Sequence, residues 1–372
     1  MKIAVNAISM KSGGGITYLS NLLRALVEID LNNQYLIIVP DRLSAPLPPS
    51  GPRCRIRFVK IPFQSTLLRI LYEQIVIPCL VWKDRVDLLY SPADIASLIA
   101  PCPVVLGIQN PNLYTSLKLS WPIAYRIHFA FLRFMAVISL RRAKRIIVLT
   151  DSFRKDLAES VDLRGKEVAI IPHGISPDFS SWKREKISSE NGYLLTVSNI
   201  YRYKNVLNLI RAYNRLMIAG TVGGRKLYVA GDSVDPQYQE QIEQYISDHK
   251  LEEMVFMPGG RPHEKMPEIY AGASLFIFPS YLETFGFPPL EAMASGLPVI
   301  AAEIEVTREN LEDAALYFDQ FSVGDLMGKI TRVFEDSILR ERMIEKGRAR
   351  TATFTWNESA RKTLEAFKAA VN

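Results

Sequence analysis

Two carboxylates, Glu283 and Glu291, stand with seven residues between them within "PSYLETFGFPPLEAMASGLPVIAA", which runs from Pro279 to Ala302. The first follows an apolar run that reads as a strand, and the second lies inside a helix beginning near Pro288. Proline suits a first helical turn, because the N–H it lacks would be unbonded there anyway. With Phe285 and Gly286 just ahead of it, that helix start presents backbone N–H groups as a seat for a diphosphate. Glu291, about one turn inside, is placed to accept hydrogen bonds from the hydroxyls of a ligand lying across the helix end. An ordinary helix with a solvated Glu is the competing reading. The coincidence of glycine, two carboxylates and a proline-started helix argues against it.

Further candidates cluster at other presumed strand ends. "SNIYRYKNV" carries Arg202 and Lys204, cations that would neutralise a departing diphosphate. Three consecutive glycines within Ser12 to Thr17 let backbone approach a phosphate or sugar closely, with Gly14 and Gly15 the chosen positions. That loop is neither G-x-G-x-x-G nor a P-loop, so dinucleotide and Walker-type readings are weak. Gln109 in "VVLGIQNPN" offers a donor and an acceptor to hydroxyls but cannot titrate near neutral pH, which argues against a general base. His173 in "IPHGI" reads as structural. His128, His249 and His263 lack Cys or carboxylate companions at ligand spacing, so no protein-bound metal is expected.

These residues need elements to hold them. "KIAVNAI", a glycine loop and an amphipathic run from Tyr18 to Ile29 open a series of short apolar strands alternating with helices, the pattern of a doubly wound parallel sheet. A second such series begins after Trp182. A chain of 372 residues is long enough for two domains. The reading is therefore α/β, with an N-terminal Rossmann-like domain over 1–182, a C-terminal one over 183–356, and a last helix, 357–372, packing back on the first. The two would face each other across a central cleft, with ligands at the carboxyl ends of the strands.

Composition narrows the class. Hydrophobic residues at 48% and charged residues at 23% exclude disordered and fibrous chains. Residues 1–180 hold 22 Lys and Arg against 13 Asp and Glu, whereas residues 181–372 hold 23 against 26, so the basic character belongs to the first half. Residues 101–150 contain seven cations and no carboxylate, a pattern that attracts anions. On a helical wheel over Trp121 to Arg145, Arg126, Arg133, Arg141 and Lys144 fall within about 80° with aromatics nearby, which suits an anionic membrane surface. A second membrane candidate, "LLRILYEQIVIPCLVW", has only Arg69 and Glu73 as charges and reads equally as a buried helix. The charge-free run Ile95 to Leu117 is broken by prolines and glycine and fails as a membrane span. Three cysteines without a signal sequence point to a reducing compartment. The expected location is cytoplasmic, peripheral at the inner face of the membrane, and no nucleic-acid motif is present.

The Glu283–Glu291 pair in its Phe-Gly-Phe-Pro-Pro context resembles the E-x7-E signature of retaining glycosyltransferases of family 4, which have the GT-B fold. "AKRIIVLTDSFRKDL", "IPHGISPDF", "TVSNIYRYKNVLNLIRAY", "AGASLFIFPS" and "EDAALYFD" occur in the matching order, so the resemblance spans nearly the whole chain. It implies transfer of a hexose from a nucleotide diphosphate sugar, metal-independent and without a further cofactor. Donor contacts would come from Gly14, Gly15, Arg202, Lys204, Glu283, Phe285, Gly286, Phe287 and Glu291, with Glu283, Lys204 and Gln109 nearest the chemistry. Two departures stand out: Ser198 and Asn199 replace the family's usual Gly-Arg, and Gln109 stands where many relatives have His. "YEQIVIPCLV" and "VDLLYSP" are similar to segments of mannosyl- and rhamnosyltransferases of O-antigen synthesis. GDP-mannose or a related GDP-deoxyhexose is thus the expected donor, UDP-sugars next, and a saccharide or lipid-linked saccharide the acceptor. The alternatives are a GT-B epimerase or phosphorylase, and a non-catalytic basic membrane-associated binding protein.

Overall fold

The computed structural model describes residues 1–10, 14–41, 43, 46–60, 66–115, 123–181 and 192–371. The chain divides into two compact units, residues 1–174 with 355–372, and residues 175–354. The expected boundary at 182/183 lies outside the described residues.

The first unit alternates β1 (Lys2–Asn6), α1 (Gly14–Ile29), β2 (Gln34–Pro40), β3 (Cys54–Val59), α2 (Thr66–Lys83), β4 (Leu88–Ser91), β5 (Val104–Gly107), α3 (Ile123–Arg142), β6 (Arg145–Val148), α4 (Asp151–Ser160) and β7 (Glu167–Ile170). The strands form one parallel sheet in the order β3-β2-β1-β4-β5-β6-β7. β4 and β5 are buried throughout, which is why they read as unbroken apolar runs rather than alternating ones. Ile70 and Ile77 of α2, Ala136 and Leu140 of α3, and Phe153 and Leu157 of α4 share one core with Leu89, Leu106 and Ile146 of the sheet. The order reverses between β1 and β4, so their carboxyl ends form the switch point where ligands of such sheets bind.

The second unit runs α5 (Asp178–Ser181), β8 (Tyr193–Val197), α6 (Val206–Ile218), β9 (Leu227–Ala230), α7 (Pro236–Asp248), β10 (Val255–Gly259), α8 (Met266–Ala271), β11 (Ala273–Phe278), α9 (Phe287–Ala294), β12 (Val299–Ala302), α10 (Glu305–Leu311), β13 (Leu316–Phe318), α11 (Val323–Glu335) and α12 (Ser337–Thr351). Its parallel sheet has the order β10-β9-β8-β11-β12-β13, which puts the switch point between β8 and β11. The last helix, α13 (Trp356–Val371), belongs to the first unit, where it packs against α1 and sets Phe367 5.1 Å from the Tyr90 ring.

Two local expectations need correction. Gly14 and Gly15 are not loop residues but the opening turn of α1, which starts four residues before Tyr18; Ser12 and Gly13 lie outside the described residues. Lys144 is not on the basic helix, because α3 ends at Arg142 and the Lys144 amide bonds to the Val104 carbonyl as the chain turns into β6. The stripe reduces to Arg126, Arg133 and Arg141, all exposed.

Candidate functional site

The second unit's switch point is assembled from two strand exits bonded to each other. Leaving β8, the chain passes Ser198 and makes a single 3-10 turn, Arg202–Lys204, closed by Asn205 in the left-handed region at φ 58°. Leaving β11, Tyr281 donates its amide to the Tyr203 carbonyl at 3.0 Å and the Ser280 hydroxyl reaches the same oxygen at 3.3 Å. This sewing places Lys204 Nζ 2.5 Å from Glu283 Oε1, with side-chain exposures of 16% and 10%. Rings of Tyr203 and Phe278 lie 5.2 and 5.9 Å from the ammonium. A charge-assisted contact at this depth is screened little by solvent, so each partner fixes the other.

Gly231 supports the arrangement from β9. A Cβ there would stand 1.9 Å from the Ser198 carbonyl oxygen, and its φ of 151° lies where side chains are rarely tolerated. Gly286 caps α9 at φ 82°, turning the chain from the Glu283 loop into the helix. Pro288 and Pro289 occupy the first turn, so the amides at that end reduce to those of Gly286 and Phe287. The expected diphosphate seat is therefore narrower than a general helix start. Phe285 is buried at 3% exposure, its carbonyl accepting from Asn310 Nδ2 at 2.6 Å and its ring packed beside Phe287 and Phe354. It shapes the loop rather than offering a surface to a ligand.

Glu291 is brought into the same loop-and-helix segment but lies deeper. Its Oε2 accepts the Tyr270 hydroxyl at 2.9 Å, and burial pushes its carboxyl up to about 7 against the lowering influence of that bond. Arg202 is not joined to the Lys204–Glu283 pair. Its Nε lies 3.1 Å from the buried Asp235 carboxylate and its Nη1 3.3 Å from Gln241, which commits the guanidinium to α7. This is the physical reason to read Arg202 as structural.

In the first unit, the strand-end residues have their own support. Asp94, at φ 60° after β4, accepts the backbone amides of Gln109 and Asn110 on Oδ1 at 3.1 and 3.2 Å. Burial pushes the Asp94 carboxyl up to about 7, opposed by those two bonds. Gly14 is exposed, and a Cβ on Gly15 would stand 2.9 Å from Met10 Sδ. His173 is buried between the rings of Tyr18 (4.3 Å) and Trp356 (5.8 Å), and burial lowers it to about 3, so it stays neutral, consistent with its structural reading. Arg133 Nη2 reaches the Ser160 carbonyl at 3.4 Å, whereas Arg126 and Arg141 extend from α3 into solvent. Among the described residues, no group of three or more His, Cys, Asp or Glu is arranged to hold a metal ion.

Sequence reasoning missed Tyr270, Asp94 and Asn310. Each acts over a long sequence separation on a residue that was identified, and none sits in a distinctive local pattern.

The raised Glu291 carboxyl gives a pH prediction. A carboxylate accepts ligand hydroxyls and a carboxylic acid does so less well, so the KM for a hydroxyl-bearing ligand held there should fall as pH rises from 6 to 8. Its folded value lies above the unfolded one, so the folded state keeps an extra proton between about pH 4 and pH 7, and stability from this group declines as pH rises through that window. Glu291→Gln should flatten both profiles, as checked by KM and urea unfolding across that pH range. Unchanged profiles would remove Glu291 from the ligand.

The sequence matches the family described as "Glycosyltransferase Family 4" over residues 12–179 and "Glycosyl transferases group 1" over residues 179–350. It is 29% identical over 238 residues to O-antigen chain mannosyltransferase B of Escherichia coli, covering 62% of each chain. It is 26% identical over 198 residues to O-antigen chain mannosyltransferase RfbU of Salmonella typhimurium, covering 51% of each. The matched stretches thus span less than two thirds of those relatives' lengths. Among solved structures, sucrose-phosphate synthase from Thermosynechococcus elongatus superimposes with a TM-score of 0.81 at 18% identity, covering 99% of this chain and 98% of that one. HepE from Anabaena in complex with UDP-glucose does so with a TM-score of 0.74 at 19% identity, covering 99% and 100%.

Proposed function

Because the chain belongs to glycosyltransferase family 4 and has the GT-B fold, we propose that it transfers a hexose with retention of configuration, mannose from GDP-mannose being favoured. The acceptor is a saccharide growing on a lipid carrier during cell-surface polysaccharide assembly, at the cytoplasmic face of a membrane. The observation that carries this reading is the Lys204–Glu283 pair at the β8/β11 switch point. Mannose and the O-antigen role rest on the two mannosyltransferase relatives.

In this mechanism Lys204 and the amides of Gly286 and Phe287 take up charge on the departing diphosphate. Glu283 holds hydroxyls of the donor sugar, and Glu291 holds the ribose. For the first unit the family resemblance implies backbone approach to a ligand at Gly14 and Gly15 and orientation of sugar hydroxyls by Gln109, which does not titrate. No side chain serves as a glycosidase-type nucleophile. As the glycosidic bond to the diphosphate breaks, a diphosphate oxygen accepts the proton of the acceptor hydroxyl, whose oxygen bonds to the anomeric carbon on the same face. The demand on the protein is positioning and charge stabilisation, which need no metal.

The test offers a panel of nucleotide sugars with and without lipid-linked saccharide. Nucleotide release should require the acceptor, be greatest with GDP-mannose, and persist in EDTA. Release without acceptor, or an epimerised donor, would support the epimerase reading, and loss of turnover in EDTA would end the metal-independent one. A ligand of the native state should also raise Tm by mass action.

A further inference from the structure

Helix α2 is apolar on both faces. Ile70, Ile77, Leu80 and Val81 are buried in the first unit's core, whereas Leu68, Leu71, Ile75 and Trp82 are 40%, 50%, 66% and 75% exposed. With the exposed Cys79, those solvent-side residues follow spacings of three and four, a single stripe about 21 Å long. A helix hydrophobic all round is normally covered all round. The one acid in α2, Glu73, faces inward at 2% exposure, so the uncovered face carries no negative charge.

The stripe continues beyond α2. Gln74 bonds to the backbone of Ala96 and Leu98, while Ser139 and Arg142 of α3 bond to Ala96, Leu98 and Ala100. Both helices therefore hold one loop, whose Ile99 is 71% exposed between them. On α3, Ile127 and Phe134 are 68% and 60% exposed and alternate with the exposed Arg126, Arg133 and Arg141. No Asp or Glu occurs between Ile95 and Thr150.

We propose that this surface docks on an anionic lipid bilayer, with the α2 stripe and Ile99 entering the headgroup–acyl boundary and the α3 arginines contacting lipid phosphates. The pattern of bulky apolar side chains beside cations, on a stretch from Ile95 to Thr150 that itself carries no acid, matches that environment. A second copy of the chain fits less well: two-fold packing would set one copy's α3 arginines near the other's, and the Asp162 carboxylate near Arg141 is already held by Arg164. Insertion by α2 deepens the reading that the acceptor is held at a membrane, and rests on it for its purpose. Among the described residues no helix is long and apolar enough to cross a membrane.

The experiment uses the whole protein with no donor or acceptor, so its failure is distinct from failure of transfer. Binding to phosphatidylcholine vesicles with and without phosphatidylglycerol is measured by co-sedimentation over a salt series. Wild type should bind the anionic vesicles and weaken with salt. The double variant Leu71→Gln/Ile75→Gln should need about tenfold more lipid or beyond at unchanged Tm, and Arg126→Gln/Arg141→Gln should lose the salt dependence. Brominated acyl chains should quench tryptophan fluorescence in wild type but far less in Trp82→Phe. Equal binding by the Leu71/Ile75 variant, no preference for anionic lipid, or a lipid-free dimer broken by that variant would each overturn the proposal.

Discussion

Replacing Lys204 with Met should lower kcat/KM by between about 100-fold and 1000-fold, the range found when one preorganised charge-stabilising group is lost. Met keeps the stem beside the Tyr203 and Phe278 rings and removes only the ammonium. Glu283 then stays largely buried without its cation, which should also cost up to about 3 kcal/mol of stability in the second unit. Glu283→Gln should cause a comparable kinetic loss, because it removes the carboxylate assigned to the sugar and releases the lysine from its fixed position. The double variant should be little worse than either single one, since the two residues act as a unit. The check is steady-state kinetics on all four proteins with urea unfolding alongside. Independent, additive losses would separate the residues.

Gly231→Ala should be the most damaging single methyl group in the second unit, costing about 3 kcal/mol or more. The added carbon would stand 1.9 Å from the Ser198 carbonyl oxygen, on backbone that cannot yield as a flexible side chain would. Ser198 begins the exit from β8, so the displacement passes into the turn that carries Lys204, and turnover should fall with stability. Gly324→Ala and Gly328→Ala in α11 are the controls. Neither added methyl meets an atom within 4 Å, and helix propensity predicts a gain of about 0.5–1 kcal/mol each. Urea unfolding of the three variants decides the matter; equal effects at all three sites would show that the close approach at Gly231 does not constrain the fold.

The sequence was most readable where chemistry is local. Glu283, Glu291 and Lys204 stand out as candidates because each lies in a strand–loop–helix segment, an order written in apolar runs and turn residues. The bond between Lys204 and Glu283 was not readable, since it joins residues 79 apart whose meeting depends on β8 and β11 being neighbours at a switch point. Tyr270 on Glu291 and Asp94 on the Gln109 amide were hidden for the same reason. Arg202 and Lys204 are two residues apart in one cationic stretch, yet the 3-10 turn sends one to Asp235 and the other to Glu283. Lys144 was misplaced because a helical wheel assumes the helix continues, whereas the chain turns into β6 after Arg142. Periodicity identified α2 as apolar but not which face the sheet would leave uncovered.

The most direct test of the central claim, retaining transfer from a nucleotide sugar, is NMR of the purified product made from an α-linked nucleotide sugar and a saccharide acceptor. A new anomeric signal of α configuration, appearing only when protein, donor and acceptor are combined, is the predicted result. A β-linked product, or donor consumed with no new glycosidic bond, would contradict it.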